Sequence, residues 1–242
     1  MKTVEVENLT FSYGCEKPLF RDISFSVSAG EILVIAGQSG SGKTTLCQIL
    51  CGIIPHAIKG NITGKIKLDG IDPTGASLPQ TSLRAGMVFQ DTDSQIISTT
   101  IEDELAFGLE NICKPPDEIR RRVDELLAEF GFELLRYTNP ASLSGGQKKL
   151  LAIAAVLAPA PPILILDEPM SGLDDEGRGL VLSVIEQQRK QGRAVVIVEH
   201  DLKTVTFADA WLLLHDGAIA VYGAPCDVLR DVESLRELGV WE

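Results

Sequence analysis

The stretch EILVIAGQSGSGKTTLCQIL, residues 31–50, constrains the fold more than any other part of the chain. Its first half is a short continuous apolar run, and a strand without polar alternation has to be covered on both faces, as the strands of parallel sheets are. Gly37, Gly40 and Gly42 then interrupt the run, and helical spacing begins at once, with Leu46, Ile49, Leu50 and Ile53 on one face up to Pro55. A strand that passes through a glycine loop into a helix N-terminus presents backbone N–H groups and the positive end of a helix dipole to an anion. Gly37 to Thr45 fits G-x-x-x-x-G-K-S/T in this context, which assigns Lys43 to the β and γ phosphates of a nucleoside triphosphate and the Thr44 hydroxyl to Mg2+. The candidate contacts are Gly37, Ser39, Gly40, Ser41, Gly42, Lys43, Thr44 and Thr45.

The rest of the chain is consistent with that start. TVEVENLTFSY alternates as a half-buried strand does, DISFSVSAG leads through a Ser-Ala-Gly turn into the apolar strand, and GNITGKIKLDGI reads as an exposed strand between glycine turns. From residue 92 to 158 the texture is helical. PPDEIRRRVDELLAEFGF opens on prolines and acids, sets Ile119, Val123, Leu126, Leu127 and Phe130 on one face, and stops at Gly131. Beyond it, ILILDEP, AVVIVEHD and ADAWLLLHDG read as strands, with the helix GRGLVLSVIEQQRKQG between the first two. Apolar strands separated by helices predict an α/β fold with a parallel sheet covered on both faces. No internal repeat or low-complexity linker divides the chain.

Composition narrows the function. The 242 residues suffice for one such domain with a small lobe, and 34 acidic against 22 basic side chains repel polyanions, which argues against nucleic acid as a partner. Five cysteines at irregular spacing, without a CxxC pair, suit a reducing compartment, and Cys47 and Cys51, one helical turn apart, read as helix packing. MKTVEVENLTFSYG lacks the apolar centre of a signal peptide. LLAIAAVLAPAPPILIL, residues 150–166, has nearly the length of a membrane span, but Pro159, Pro161 and Pro162 would break it in mid-bilayer, so a helix followed by a strand is expected. His56 and His215 match no motif and read as surface or packing residues.

Two further motifs carry chemistry. ILILDEP is a buried strand ending in adjacent acids, and a buried carboxylate is costly unless paired or near a metal. Asp167 is therefore expected to face the Mg2+ and Glu168 to orient or deprotonate a water that attacks the γ phosphate. LSGGQ, Leu143 to Gln147, precedes an apolar helix and makes a second phosphate cradle, more than one triphosphate needs from one chain.

The glycine loop, Gln90, LSGGQ, ILILDEP, SGLD (Ser171 to Asp174) and His200 stand in an order and spacing that resemble the nucleotide-binding subunit of ABC transporters, over essentially the whole chain. The resemblance implies a P-loop NTPase of RecA-like core with an N-terminal antiparallel β subdomain (1–90 and 159–242) and a helical signature subdomain (91–158). It also implies a head-to-tail pair of such domains, with ATP between the glycine loop of one and Ser144, Gly145, Gly146 and Gln147 of the other. By the same resemblance Tyr13 stacks on adenine, Gln90 joins Mg2+ and the attacking water to the helical lobe, Glu168 is the general base, Asp174 contacts the opposite protomer, and His200 contacts the γ phosphate. Tyr13 keeps a second reading, as core beside Phe11. Leu150 stands where many relatives have arginine, which alters local salt bridging only.

The interval of about 54 residues between Gln90 and the signature has no heptads for a coiled coil, and the single acidic cassette differs from tandem, RNA-binding translation factors, so a transport ATPase is favoured. QDTDSQIISTTIEDELAFG, residues 90–108, is similar to the same stretch in ATPases of energy-coupling factor (ECF) importers. That implies a transmembrane coupling subunit and a small substrate-binding membrane protein as partners, uptake of a vitamin, vitamin precursor or transition-metal ion, and a peripheral place on the cytoplasmic face of the cell membrane. CGIIPHAIKGNITGKIKLDG resembles the first cassette of tandem ECF ATPases, so homodimer, heterodimer and half of a fused chain all stay open. Thr99 with Glu102 resembles a capping box, and Ile97, Ile101 and Leu105 recur every fourth residue. The expectation is a short helix with that strip buried and Glu102, Asp103 and Glu104 exposed, either as an acidic rim for a basic amphipathic helix of the partner or as packing within the lobe.

Overall fold

In the computed structural model, which describes residues 2–230 and 232–237, the N-terminal alternation becomes β1 (Lys2–Ser12), with Val4, Val6, Leu9 and Phe11 buried. The step from Val6 to Leu9 breaks the period of two, and a bulge there, with Asn8 at φ 50°, returns Leu9 to the inner face. β1 pairs antiparallel with β2 (Phe20–Ser28) on one side and β4 (Asn61–Leu68) on the other, giving a three-stranded sheet.

The apolar runs form a second sheet. β3 (Ile32–Gly37) is buried along its whole length, as are β6 (Ile163–Asp167) and β7 (Ala194–Val198). Together with β5 (Ala85–Val88), β8 (Ala210–His215) and β9 (Ala218–Gly223) they take the order β5-β6-β7-β3-β8-β9, with β6, β7, β3 and β8 parallel and β9 antiparallel to β8. α1 (Lys43–Leu50) follows β3 and is capped by Cys51, with Gly52, φ 70°, just beyond it and short of Pro55. Cys47 and Cys51 are buried on it, and burial pushes the Cys51 thiol up to about 12. Short helices α2 (Ile53–His56) and α3 (Leu78–Ser82) flank β4.

The chain clusters into two compact units, one holding the described residues of Met1–Met87, Pro162–Glu168 and Gln188–Glu242, the other Val88–Pro161 and Pro169–Gln187. In the second, α4 (Ile101–Asn111), α5 (Pro116–Phe130) and α6 (Gly145–Leu157) pack on one another through Ile101, Leu105, Leu109, Val123, Leu126, Leu127 and Leu151. Leu150 is buried on α6. α7 (Asp175–Lys190) follows β6 and begins in this unit, while α8 (Pro225–Val228) and α9 (Val232–Glu237) close the described chain. Residues 150–166 divide at Leu157 into helix and strand, and no helix among the described residues is long and apolar enough to cross a membrane.

The start of α4 differs from expectation. Its cap is Thr100, one residue later than expected, whose Oγ1 accepts the Asp103 N–H at 3.1 Å. Ile97 lies in the loop before the helix and is 61 % exposed, while Glu104 is buried and its carboxylate accepts the N–H groups of Ile97 (3.0 Å) and Ser98 (2.8 Å). A buried carboxylate that completes two backbone hydrogen bonds is satisfied in a way helical periodicity does not reveal. Thr100→Ala is expected to cost about 1 kcal/mol in urea denaturation, and Thr99→Ala close to nothing.

Candidate nucleotide-binding site

Parallel register gathers several strand ends on one edge of the six-stranded sheet. Ile35 is level with Val198, Val198 with Asp167, and Gly37 with Leu214. The segments leaving β3, β6, β7 and β8 therefore emerge together, where open parallel sheets hold their ligands.

Gly37 stands at φ 152°, and a Cβ there would lie 2.3 Å from the Leu214 carbonyl oxygen, so only glycine lets β3 turn beside β8. The Lys43 Nζ is buried and donates to the carbonyl oxygens of Gly37 (2.8 Å) and Gln38 (2.9 Å). Burial lowers the Lys43 pKa, opposed by the charges of Glu168 and Asp167. α1 starts at Gly42, φ 97°, with no side-chain cap and no acid in its first turn, which leaves its N-terminal dipole uncompensated. Ser41 Oγ is buried without a hydrogen-bond partner, an orphan that a ligand oxygen would satisfy. A cradle with these features matches a polyanion such as a triphosphate.

Asp167 is buried at the end of β6, and Thr44 is exposed in the first turn of α1. Both offer hard oxygen donors, and among the described residues no group of three His, Cys, Asp or Glu could hold a metal alone. This sparse set fits Mg2+, which keeps waters and shares its shell with phosphates. Glu168 follows at φ 48°, a left-handed conformation that costs a residue with Cβ roughly 1–2 kcal/mol. Its N–H donates to the Val198 carbonyl at 3.0 Å, so the chain turns while still bound to β7, and strain of this kind collects at functional positions.

His200 is exposed, with Nδ1 3.9 Å from the buried Glu199 carboxylate, and the Glu199 N–H donates to Ile35 O at 3.2 Å. Glu199 is absent from the sequence-predicted set; its signal is a charge closing the apolar run AVVIV. Tyr13 lies just past β1, edge-on to Phe11 with centroids 4.7 Å apart, and its hydroxyl is 2.9 Å from Thr45 Oγ1. It lines a cleft of about 410 Å³ with Lys17, Leu19, Gln38, Gly40 and His215. His215 thus faces the cleft, because β8 is the parallel neighbour of the strand that carries the loop. His56 contacts the Pro73 carbonyl at 3.3 Å.

The second unit carries the remaining candidates. Ser144 Oγ accepts the Gln147 N–H at 3.3 Å while Gln147 Oε1 accepts the Ser144 N–H at 3.0 Å, a reciprocal box that fixes the start of α6. The S-x-x-Q spacing inside LSGGQ already carries that signal. Ser144 and Gly145 are exposed, and a Cβ on Gly145 would meet nothing within 4 Å. Asp174 Oδ1 accepts the Gly177 N–H at 2.8 Å, so its carboxylate holds the first turn of α7. The Gln90 carbonyl accepts from Lys149 Nζ at 2.9 Å.

Residues 20–171 match the family model described as ABC transporter. An ABC transporter ATP-binding protein of Pyrococcus abyssi is 40 % identical over 99 % of this chain and 87 % of its own. The energy-coupling factor transporter ATP-binding protein EcfA1 of Levilactobacillus brevis is 38 % identical over 98 % of this chain and 84 % of its own. Among solved structures, cbiO1 of Clostridium perfringens, described as part of the ABC transporter complex cbiONQ, superposes with a TM-score of 0.85 at 33 % identity, covering 99 % of this chain and 95 % of its own. With the loop, the strand-end acids and the signature helix in place, the chain belongs to the ABC transporter family and is an ATP-hydrolysing subunit of its energy-coupling factor type.

Proposed function

We propose that this chain binds Mg2+-ATP at the edge formed by Gly37–Thr45, Asp167, Glu168 and His200, and hydrolyses it between two such domains to drive uptake of a vitamin, vitamin precursor or transition-metal ion. The observation that carries the reading is that edge: an uncapped helix N-terminus, a buried lysine and two acids brought level by parallel register. Lys43 and the loop N–H groups hold the triphosphate, Tyr13 faces the nucleoside, and Glu168 takes the proton of the attacking water. Thr44, Asp167 and Gln90 would hold Mg2+, which supplies positive charge at the β and γ phosphates. His200 reaches the γ phosphate with Glu199 at its back.

The exposed Ser144 and Gly145, with Gly146, Gln147 and Asp174, form the surface offered to the second domain, whether another copy, a related subunit or a fused cassette. Gln147 and Asp174 contribute by fixing helix starts, so that open N–H groups rather than free side chains meet the second nucleotide. The names of the relatives and the cbiONQ complex support a transmembrane coupling subunit and a small substrate-binding membrane protein as partners, and hence a peripheral place on the cytoplasmic face of the membrane.

The test is purification of the tagged chain from detergent-solubilised membranes, followed by phosphate-release assays. A polytopic membrane protein in stoichiometric amount and ATP hydrolysis that EDTA abolishes and Mg2+ restores are expected. Recovery of ribosomes or DNA instead, or hydrolysis indifferent to EDTA, would overturn the reading.

A further inference from the structure

The segment after Gln90 is a built structure. The Phe89 N–H donates to Gln95 Oε1 at 2.9 Å, the N–H groups of Gln95 and Ile96 donate to the Thr92 carbonyl at 3.2 and 3.1 Å, and Thr92 is buried. Asp91 accepts the Asp93 N–H at 3.1 Å and the Ser94 hydroxyl, and Glu104 accepts the two N–H groups that follow. A loop whose backbone is satisfied at this many points forms one body that resists local opening.

Two consecutive lysines of α6 fasten that body. Lys148 Nζ lies 2.6 Å from Asp93 Oδ1, and Lys149 Nζ, on a residue only 3 % exposed, donates to the Gln90 carbonyl at 2.9 Å. Both sit on the turn that follows Ser144, Gly145 and Gly146, so one short rigid helix holds the exposed cradle at its tip and the Gln90 loop at its side. Ordering a long side chain and burying its ammonium are unfavourable, and the carbonyl at Gln90 is one of the groups that offset the burial of Lys149.

We propose that Lys148 and Lys149 are positioning residues that tie the loop at Gln90 to the helix beginning at Ser144, so that the two segments engage and leave the bound triphosphate together. The inference rests on the reading that Gln90 and Ser144 serve ATP hydrolysis. Neither lysine touches the reacting atoms; each acts through the segment it holds, one by a charge pair and one by a carbonyl.

The experiment measures kcat and KM for Mg2+-ATP in the full chain, assembled with its partners where activity requires them. Lys149→Met is expected to lower kcat about tenfold with KM changed less than about twofold, because a displaced loop misplaces the reacting groups without removing the phosphate cradle. Lys149→Arg, which can still donate to the carbonyl, retains most of kcat. Lys148→Glu and Asp93→Lys each lower kcat several-fold, and the double exchange recovers to within about twofold of the parent. An unchanged kcat in Lys149→Met, or a double exchange as low as the product of its singles, overturns the tether. If Lys149→Met does not fold, the exchange decides, since Lys148 and Asp93 are partly exposed. Gln90→Ala separates the two levels. A fall in its kcat beside unaffected lysine variants removes the tether alone, and an unaffected Gln90→Ala removes the role of Gln90 and the tether's purpose with it.

Discussion

Glu168→Gln is expected to bind ATP as the parent does and to hydrolyse it about 10²–10⁴-fold more slowly, the loss that follows removal of a positioned general base. The amide keeps the volume and most of the hydrogen-bonding capacity of the carboxylate but cannot take a proton. The left-handed backbone at φ 48° is unchanged by the exchange, so the turn out of β6 survives. With hydrolysis blocked, two ATP-bound domains should remain closed, and sedimentation in ATP should show a dimer that persists for the variant and decays for the parent. The exchange also removes the larger of the two carboxylate influences that raise the Lys43 pKa, leaving that of Asp167. Parent-like turnover in Glu168→Gln would take the base assignment away.

Ile101→Asp and Ile97→Asp are expected to have opposite outcomes although the two residues are four apart. Ile101 is fully buried at the first position of α4, beside Leu105 and Leu109. A carboxylate there forfeits the transfer energy of the isoleucine and is desolvated without a partner, a cost of about 4 kcal/mol or more against a total stability of about 5–15 kcal/mol. The helical unit should lose its cooperative unfolding and become open to limited proteolysis. Ile97→Asp, in the loop and mostly exposed, should stay within about 0.5 kcal/mol of the parent and weaken only assembly with the membrane partner. A stable Ile101→Asp would contradict the packing of α4, and unchanged assembly in Ile97→Asp would remove the loop from the partner surface.

That pair also marks where the sequence stops being readable. Ile97, Ile101 and Leu105 do recur at helical spacing, but Thr100 rather than Thr99 supplies the cap, and the helix begins only at Ile101, which leaves Ile97 in the loop before it. Uninterrupted runs such as ILVIAG and AVVIV have one stable fate, a doubly covered strand, and Gly40 and Gly42, at φ 81° and 97°, supply the left-handed backbone of the turn between β3 and α1. These are legible because cause and effect lie within a few residues. Glu104 and Lys149 are charged residues in buried places, and each meets groups brought to it by the fold: the N–H groups of Ile97 and Ser98 for the first, the carbonyl of Gln90 for the second. Periodicity reports which faces are apolar, and it is silent on a polar group whose partner is 7 or 59 positions away along the chain. His215 came to line the cleft beside Tyr13 by the same route, through the order of strands in the sheet.

The two glycines at positions 37 and 40 belong to one motif yet answer to different masters. Any side chain on Gly37 collides with the backbone of β8, whereas one on Gly40, at φ 81°, meets nothing within 4 Å and bears only the torsional cost of that backbone. A scan of substitutions through this loop would therefore read two properties under one label. Losses at residue 37 report whether the parallel sheet can still close, even in a protein that never meets a nucleotide, and losses at residue 40 report what the left-handed backbone of the loop requires.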